Sequence, residues 1–136
     1  MFDSQIPTRS AEFVAIWDTG ATASVITQKV IDELGLATFG IATVNGVHGS
    51  NETTRHVVGI TLPNGVSFAP VEVTCGVLGD FDVLIGMDII ATGSFAVTNL
   101  NGKTTMTFSH PSLKTIDFVA QYPAKKVVIP PQINNS

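Results

Sequence analysis

Positive charge is scarce in this sequence. Of its 136 residues only seven are lysine or arginine, against eleven aspartates and glutamates, and the formal net charge is −4. A protein that binds the phosphate backbone of a nucleic acid needs a patch of basic side chains. Seven basic residues in an acidic chain do not supply one, so we expect no nucleic-acid partner.

Long apolar runs are also lacking. No stretch approaches the roughly 18 apolar residues typical of a membrane-spanning helix. The first ten residues have neither the basic start nor the apolar centre of a secretory signal. The sequence therefore predicts a soluble, cytoplasmic protein with no membrane partner.

Few side chains are available for metal binding or disulfide formation. Cys75 is the single cysteine, which excludes an internal disulfide and a cysteine-based metal site. It follows a strand-like run, which favours a small buried hydrophobe over a nucleophile. His48, His56 and His110 lack the spacing of metal ligands, so we interpret them as scattered, solvent-facing imidazoles. The sequence indicates neither a metal nor a cofactor.

Short β signals fill most of the chain. Apolar or β-branched runs at 13–17, 24–26 and 82–86 are typical of buried strands. Turn residues at Pro63-Asn64-Gly65 and Asn101-Gly102 predict two hairpins.

Helical signals are brief by comparison. Thr27 and Gly35 are the expected caps of one short helix, and residues 87–91 could form a second. The sequence predicts an all-β domain over residues 1–122, a closed barrel or sandwich with one or two short helices. We expect residues 123–136 to form an extended or disordered tail.

The most apolar of these runs ends on an acid. Residues 13–17 lead directly into Asp18-Thr19-Gly20-Ala21, and another apolar run, residues 82–86, begins some sixty residues later and ends at Gly86. Together these features resemble the retropepsin-like aspartic proteases, in which an apolar strand enters D-[ST]-G-[AS] and a later apolar run ends in glycine. The resemblance covers residues 11–108. The stretch IGMDII is closer to the cellular and bacterial members than to the retroviral enzymes, which carry an Arg-Asn pair after that glycine.

The resemblance implies a retropepsin-like fold and aspartic endopeptidase activity. Such hydrolysis needs one group that takes a proton from water and another that protonates the substrate carbonyl. Two carboxyl groups about 3 Å apart can do both, because they cannot both ionise and so share one proton. D-[ST]-G occurs once in this sequence, at Asp18. The resemblance therefore implies a homodimer in which Asp18 of each subunit meets at a twofold axis.

The neighbours of Asp18 take supporting roles in this interpretation. Thr19 would bond to the loop of the partner subunit, and Gly20 would allow two backbones to approach closely. Ala21 offers the carboxylates no hydroxyl donor. Ile85 and Gly86 would pack beneath the Asp18 loop.

A long hairpin with a polar, glycine-bearing tip is predicted over residues 41–61. In the family that it resembles, such a hairpin is the flap that closes over a bound peptide. Val47, His48 and Gly49 are our candidates for contacting the substrate backbone. The alternative is a surface hairpin that contacts nothing.

Several assignments stay open from the sequence. Trp17 could line a pocket or pack in the core, whereas Asp82 and Asp88 fit hydrogen-bonding or helix-start roles better than catalysis. The dimer sheet could use residues 1–7 or residues 115–119. The alternative to an endopeptidase is a non-catalytic retropepsin-fold module for dimerisation or peptide binding.

Overall fold

A computed structural model describes residues 9–121, which are mostly strand with three short helices. The elements are β1 (Ala15–Trp17), β2 (Val25–Ile26), α1 (Gln28–Leu34), β3 (Gly40–Gly46), β4 (Gly49–Thr61), β5 (Ser67–Cys75), β6 (Val83–Ile85), α2 (Met87–Ile90), β7 (Ser94–Leu100), β8 (Lys103–Ser109) and α3 (Phe118–Gln121). The predicted all-β class is confirmed. The predicted tail over 123–136 lies outside the described residues. Within residues 9–121, no helix has the length and apolarity needed to cross a bilayer.

Six of the strands form one sheet that curls into a half-barrel, in the order β1-β6-β2-β5-β4-β3. Strand β6 runs parallel to β1 on one side and antiparallel to β2 on the other. Parallel strands end at the same edge of a sheet. In this register Trp17 lies beside Ile85, so the residues that follow β1 and β6 leave the sheet next to each other.

Both predicted hairpin turns form where the sequence indicated. Strands β4 and β5 are joined around Pro63–Gly65, and β7 and β8 around Asn101 and Gly102. Asn101 and Gly102 both have positive φ, at 52° and 76°. That is the backbone conformation of the tight hairpin turns that favour Asn-Gly.

Helix α1 covers one side of the half-barrel. Val30 and Ile31 are its buried residues, and Gly35 ends it in the left-handed conformation with φ of 62°. Thr27 occupies the N-cap position, as predicted, but its side chain does not cap the helix. Its hydroxyl donates instead to the carbonyl oxygen of Asp82, 3.0 Å away, and so ties α1 to the start of β6.

The hydrophobic core lies between the sheet and the two helices α1 and α2. Its buried members come from all of these elements: Ile26, Val30, Ile31, Val73, Val83, Ile85, Ile89 and Ile90. Trp17 packs against this core and against Phe95 and Phe108, with ring centroids 5.5 and 5.1 Å apart. Of the two roles left open for Trp17, the structure supports core packing. The indole thereby fixes the β7–β8 hairpin to the main sheet.

The interpretation of His56 as a solvent-facing imidazole was wrong. The side chain is only 1% exposed, because β4 lies between β3 and β5 and His56 is on its inner face. Its Nδ1 lies 3.0 Å from the carbonyl oxygen of Ala37, and its Nε2 lies 2.8 Å from the hydroxyl oxygen of Thr54. A carbonyl oxygen only accepts, so Nδ1 donates to Ala37, while Nε2 pairs with the hydroxyl of Thr54. Both ring nitrogens are satisfied; His48 and His110 are exposed, as expected.

Of the two candidate segments for the dimer sheet, the structure describes only residues 115–119, and these form no strand. Residues 115–117 lie outside any helix or strand, and Phe118 begins α3. Residues 1–7 lie outside the described part of the chain.

Candidate active site

Asp18 is held at the edge of the sheet by β6. Its backbone N–H donates to the carbonyl oxygen of Ile85 at 2.9 Å, which extends the parallel pairing of β1 and β6 by one bond. Its carboxyl oxygen Oδ1 accepts from the backbone N–H of Gly20 at 2.8 Å. The side chain is half-buried. The chain therefore turns sharply after Asp18 and holds its carboxyl group against the turn.

The loop then returns along the start of α2. The carbonyl oxygen of Ala21 accepts from the N–H of Met87 at 2.8 Å, and that of Thr22 accepts from the N–H of Asp88 at 3.1 Å. The loop that carries Asp18 and the segment that follows β6 are thus joined backbone to backbone.

Gly86 lies where these two segments are closest. A β-carbon added at this position would lie 2.7 Å from the carbonyl carbon of Ala23 and 2.8 Å from its oxygen. Such distances do not occur between real β-carbons and their neighbours. The apolar run 82–86 therefore ends in glycine, because the backbone of the Asp18 loop occupies the space that a side chain at position 86 would need. The structure places Ile85 and Gly86 directly against the Asp18 loop, while Thr19 and Gly20 are exposed on it.

Ser24 and Asp88 form a side-chain link that the sequence did not identify as a pair. The hydroxyl of Ser24 donates to Oδ1 of Asp88 at 2.7 Å, and the backbone N–H of Ser24 donates to Oδ2 at 3.0 Å. The same hydroxyl accepts from the N–H of Gly86 at 3.1 Å. The sequence shows only that Ser24 precedes a strand and that Asp88 lies two residues after Gly86. Neither feature is specific enough to predict that the two side chains bond to each other.

Asp82 lies at the start of β6, at the opposite end of the strand from the Asp18 loop, and its hydrogen bonds stabilise the fold. Its carboxylate accepts from the N–H of Val14 at 3.0 Å and from Nζ of Lys29 at 3.2 Å. The bond from Val14 is the main reason why the pKa of this carboxyl lies below its ordinary value, and the bond from Lys29 lowers it further. The hydrogen-bonding role favoured by the sequence is the one that the structure gives to Asp82.

Cys75 ends β5 and is half-buried. Burial raises the pKa of its thiol, and the negative charge of Asp32 raises it further. Because the thiolate is the reactive form, this environment fits a packing residue and not a nucleophile.

The predicted flap corresponds to the hairpin of β3 and β4. Their pairing runs from Gly40 opposite Arg55 to Gly46 opposite Gly49, so Val47 and His48 form its two-residue tip. Val47, His48 and Gly49 are all exposed, Val47 to 98%. Among the described residues, no hydrogen bond connects these three to the Asp18 loop.

The base of this hairpin is anchored, in contrast to its tip. The guanidinium of Arg55 lies 4.8 Å from the ring centroid of Phe39 and forms an ion pair with Glu72 on β5. The hydroxyl of Thr53 donates to the carbonyl oxygen of Cys75 at 2.6 Å. Between Thr53 and the tip, β4 pairs with β3 alone and not with β5.

Comparison with known proteins agrees with this geometry. The family model described as gag-polyprotein putative aspartyl protease matches residues 5–92, a span that includes the Asp18 loop, the β3–β4 hairpin and Gly86. No curated protein sequence matches the chain. The match covers well over half of the 136 residues, and the chain belongs to this retropepsin-like aspartyl protease family.

Proposed function

We propose that the protein is an aspartic endopeptidase that acts as a homodimer, with Asp18 of each subunit contributing one carboxyl group. The observation that carries the proposal is the construction of the Asp18 loop. A half-buried acid is held at a sheet edge by Ile85 and Gly20, in a chain that belongs to an aspartyl protease family. A module that only binds peptides has no need to hold an acid in this way.

The homodimer follows from the chemistry of the reaction. One chain supplies one acid of this kind, and hydrolysis by activated water needs a base and an acid at the same time. When two subunits bring their Asp18 groups to about 3 Å, one group is ionised and the other carries the shared proton. The ionised group takes a proton from water as the water attacks the peptide carbonyl carbon. The protonated group donates to the carbonyl oxygen, which gives a tetrahedral diol. The proton taken from water then passes to the leaving nitrogen as the C–N bond breaks, and the second carboxylate takes a proton back from the diol as the new carboxyl group forms.

The substrate in this proposal is a peptide or protein segment bound in extended form. The exposed tip of the β3–β4 hairpin, Val47 to Gly49, would close over it and bond to its backbone. The anchored base at Arg55 and Thr53 supports such a motion, because it leaves the tip free to move while the sheet stays fixed.

The test is Asp18→Asn. Asparagine keeps the shape of the side chain and an oxygen that can accept from Gly20, but it cannot exchange a proton. We expect peptide cleavage to fall by about 10³-fold or more, with an unchanged circular dichroism spectrum and an unchanged sedimentation coefficient. Asp32→Asn is the matched control, because Asp32 is an exposed acid on α1, and its cleavage rate should equal that of the wild type.

Dilution tests the shared site separately. If each active site contains two copies of Asp18, the specific activity should fall as the dimer dissociates. A monomer that cleaves at full specific activity would refute the shared site. If Asp18→Asn cleaves normally, the chemistry lies elsewhere. A wild-type dimer that binds peptides without cleaving them would favour the non-catalytic module.

A further inference from the structure

We propose that Ser24 and Asp88 are positioning residues for the cleavage reaction, which hold the Asp18 loop in place through Gly86. This inference rests on the proposed function and adds to it a pair of side chains that act on Asp18 through the backbone of the loop.

The link begins with a fully buried hydroxyl. Ser24 is 0% exposed, and its Oγ accepts from the backbone N–H of Gly86 while donating to the carboxylate of Asp88. The bond from Gly86 is buried, and it lies beside the close contact between Gly86 and the backbone of Ala23. The hydroxyl therefore sets the distance between the start of β2 and the end of β6.

Asp88 gathers three donors on one carboxylate. Oδ2 accepts from the N–H of Ser24, and Oδ1 accepts from the hydroxyl of Ser24 and from the N–H of Ile89 at 3.0 Å. Bonds to a carboxylate are shorter and stronger than bonds between neutral groups. Thr22 in the loop and Met87 at the start of α2 are both uncharged and cannot form an ion pair with each other. The side-chain link between the loop and α2 is therefore provided by Asp88.

The connection reaches Asp18 in two steps along the backbone. Gly86, which donates to Ser24, directly follows Ile85, whose carbonyl oxygen holds the N–H of Asp18. A shift of Gly86 therefore moves the acceptor that orients Asp18. A catalytic group must be held to within about 0.5 Å of its productive position, so loosening this link should slow the chemical step more than it weakens substrate binding.

Ser24→Ala is the first variant, and Thr92→Val is its matched control. Thr92 also carries a hydroxyl, which donates to the carbonyl oxygen of Ile89 in α2 at 2.6 Å and lies 3.1 Å from Nδ1 of His110, but Thr92 follows the C-terminal end of α2, away from Gly86. Both variants lose one hydroxyl and some stability. At a temperature where both are fully folded and dimeric, we expect kcat of Ser24→Ala to fall by about 10- to 100-fold with KM within about twofold of wild type. For Thr92→Val, kcat and KM should equal those of the wild type.

Asp88→Asn provides a second variant in case Ser24→Ala does not fold. The amide oxygen can still accept from the hydroxyl of Ser24, but the amide N–H₂ then faces the N–H of Ser24. We expect kcat of Asp88→Asn to fall below that of the wild type, and by less than kcat of Ser24→Ala where that variant folds. The double variant should lose little more than Ser24→Ala alone, because the two residues act through one link.

Amide hydrogen exchange gives a readout that does not depend on cleavage. In Ser24→Ala the amides of Gly86 and Gly20 should exchange at least about tenfold faster, while the amides in α1 keep the wild-type rate. An unchanged kcat in a folded, dimeric Ser24→Ala would overturn the proposal, and so would an unchanged rate at Gly20. Failure of the proposed function gives different results: either the wild type does not cleave peptides, or Asp18→Asn still cleaves them. In both cases the exchange rates still decide whether Ser24 holds the loop.

Discussion

Gly86→Ala is the change for which the contacts allow the most detailed prediction. The added β-carbon would lie 2.7 Å from the carbonyl carbon of Ala23, whereas ordinary contact begins at 3.4 Å. The two segments must therefore separate by about 0.7 Å. All three obstructing atoms belong to the backbone of Ala23 and Ala21, so no side-chain rotation can relieve the contact. Overpacking of this kind costs about 1–3 kcal/mol in free energy of unfolding.

The same separation should also reduce activity. A misplacement of about 1 Å can cost 10²-fold in rate, so a 0.7 Å opening beside the Asp18 loop should reduce kcat by about tenfold or more. Urea unfolding and peptide cleavage, measured on the same preparations, check the two effects. Gly59→Ala is the control, because a β-carbon there meets Ala69 Cβ at an ordinary 3.6 Å. If Gly86→Ala is as stable and as active as Gly59→Ala, the close approach of loop and strand is not a constraint.

Two further predictions concern side chains that support the fold. Because the pKa of Asp82 is lowered from 3.8 in the folded protein, its charged form stabilises the fold above that pH and the contribution is lost as the pH falls below it. The melting temperatures of wild type and Asp82→Asn should differ at pH 7, the difference should shrink as the pH falls below 3.8, and a gap that stays constant in acid would contradict this. His56→Leu leaves the carbonyl oxygen of Ala37 without its donor, so urea unfolding should show a loss of about 1–3 kcal/mol. His48→Leu, at the exposed hairpin tip, is the control, and equal stability of the two variants would refute the reasoning.

The elements that the sequence predicted correctly are those decided by neighbouring residues. Asn101 and Gly102 form a turn because both accept positive φ, and Gly35 ends α1 for the same reason. The all-β class follows from the number of such signals. Where the partner is distant in the chain, the local pattern did not suffice. Thr27 occupies the cap position that was predicted, yet its hydroxyl bonds to Asp82, 55 residues away.

The candidate site divides in the same way. Asp18 and Gly86 were visible because each ends an apolar run in a recognisable motif. Ser24 and Asp88 are 64 residues apart, and nothing near either one indicates that they bond. The burial of His56 depends on β4 having neighbours on both sides, which is a property of sheet order. The local patterns do not indicate which distant strands pair with each other, or in which register they pair.

The parallel pairing of β1 with β6 has a consequence for the order of folding. Hairpins such as β3–β4 and β7–β8 join residues that are close in the chain and can form early. The Asp18 site cannot form early, because β1 pairs with a strand that lies almost seventy residues further along the chain. Val14 and Asp82, which bond just before the paired residues of β1 and β6, are 68 positions apart. Closing so long a loop is slow and late. During synthesis on the ribosome, the contacts that hold the Asp18 loop therefore form only after β6 and α2 have emerged.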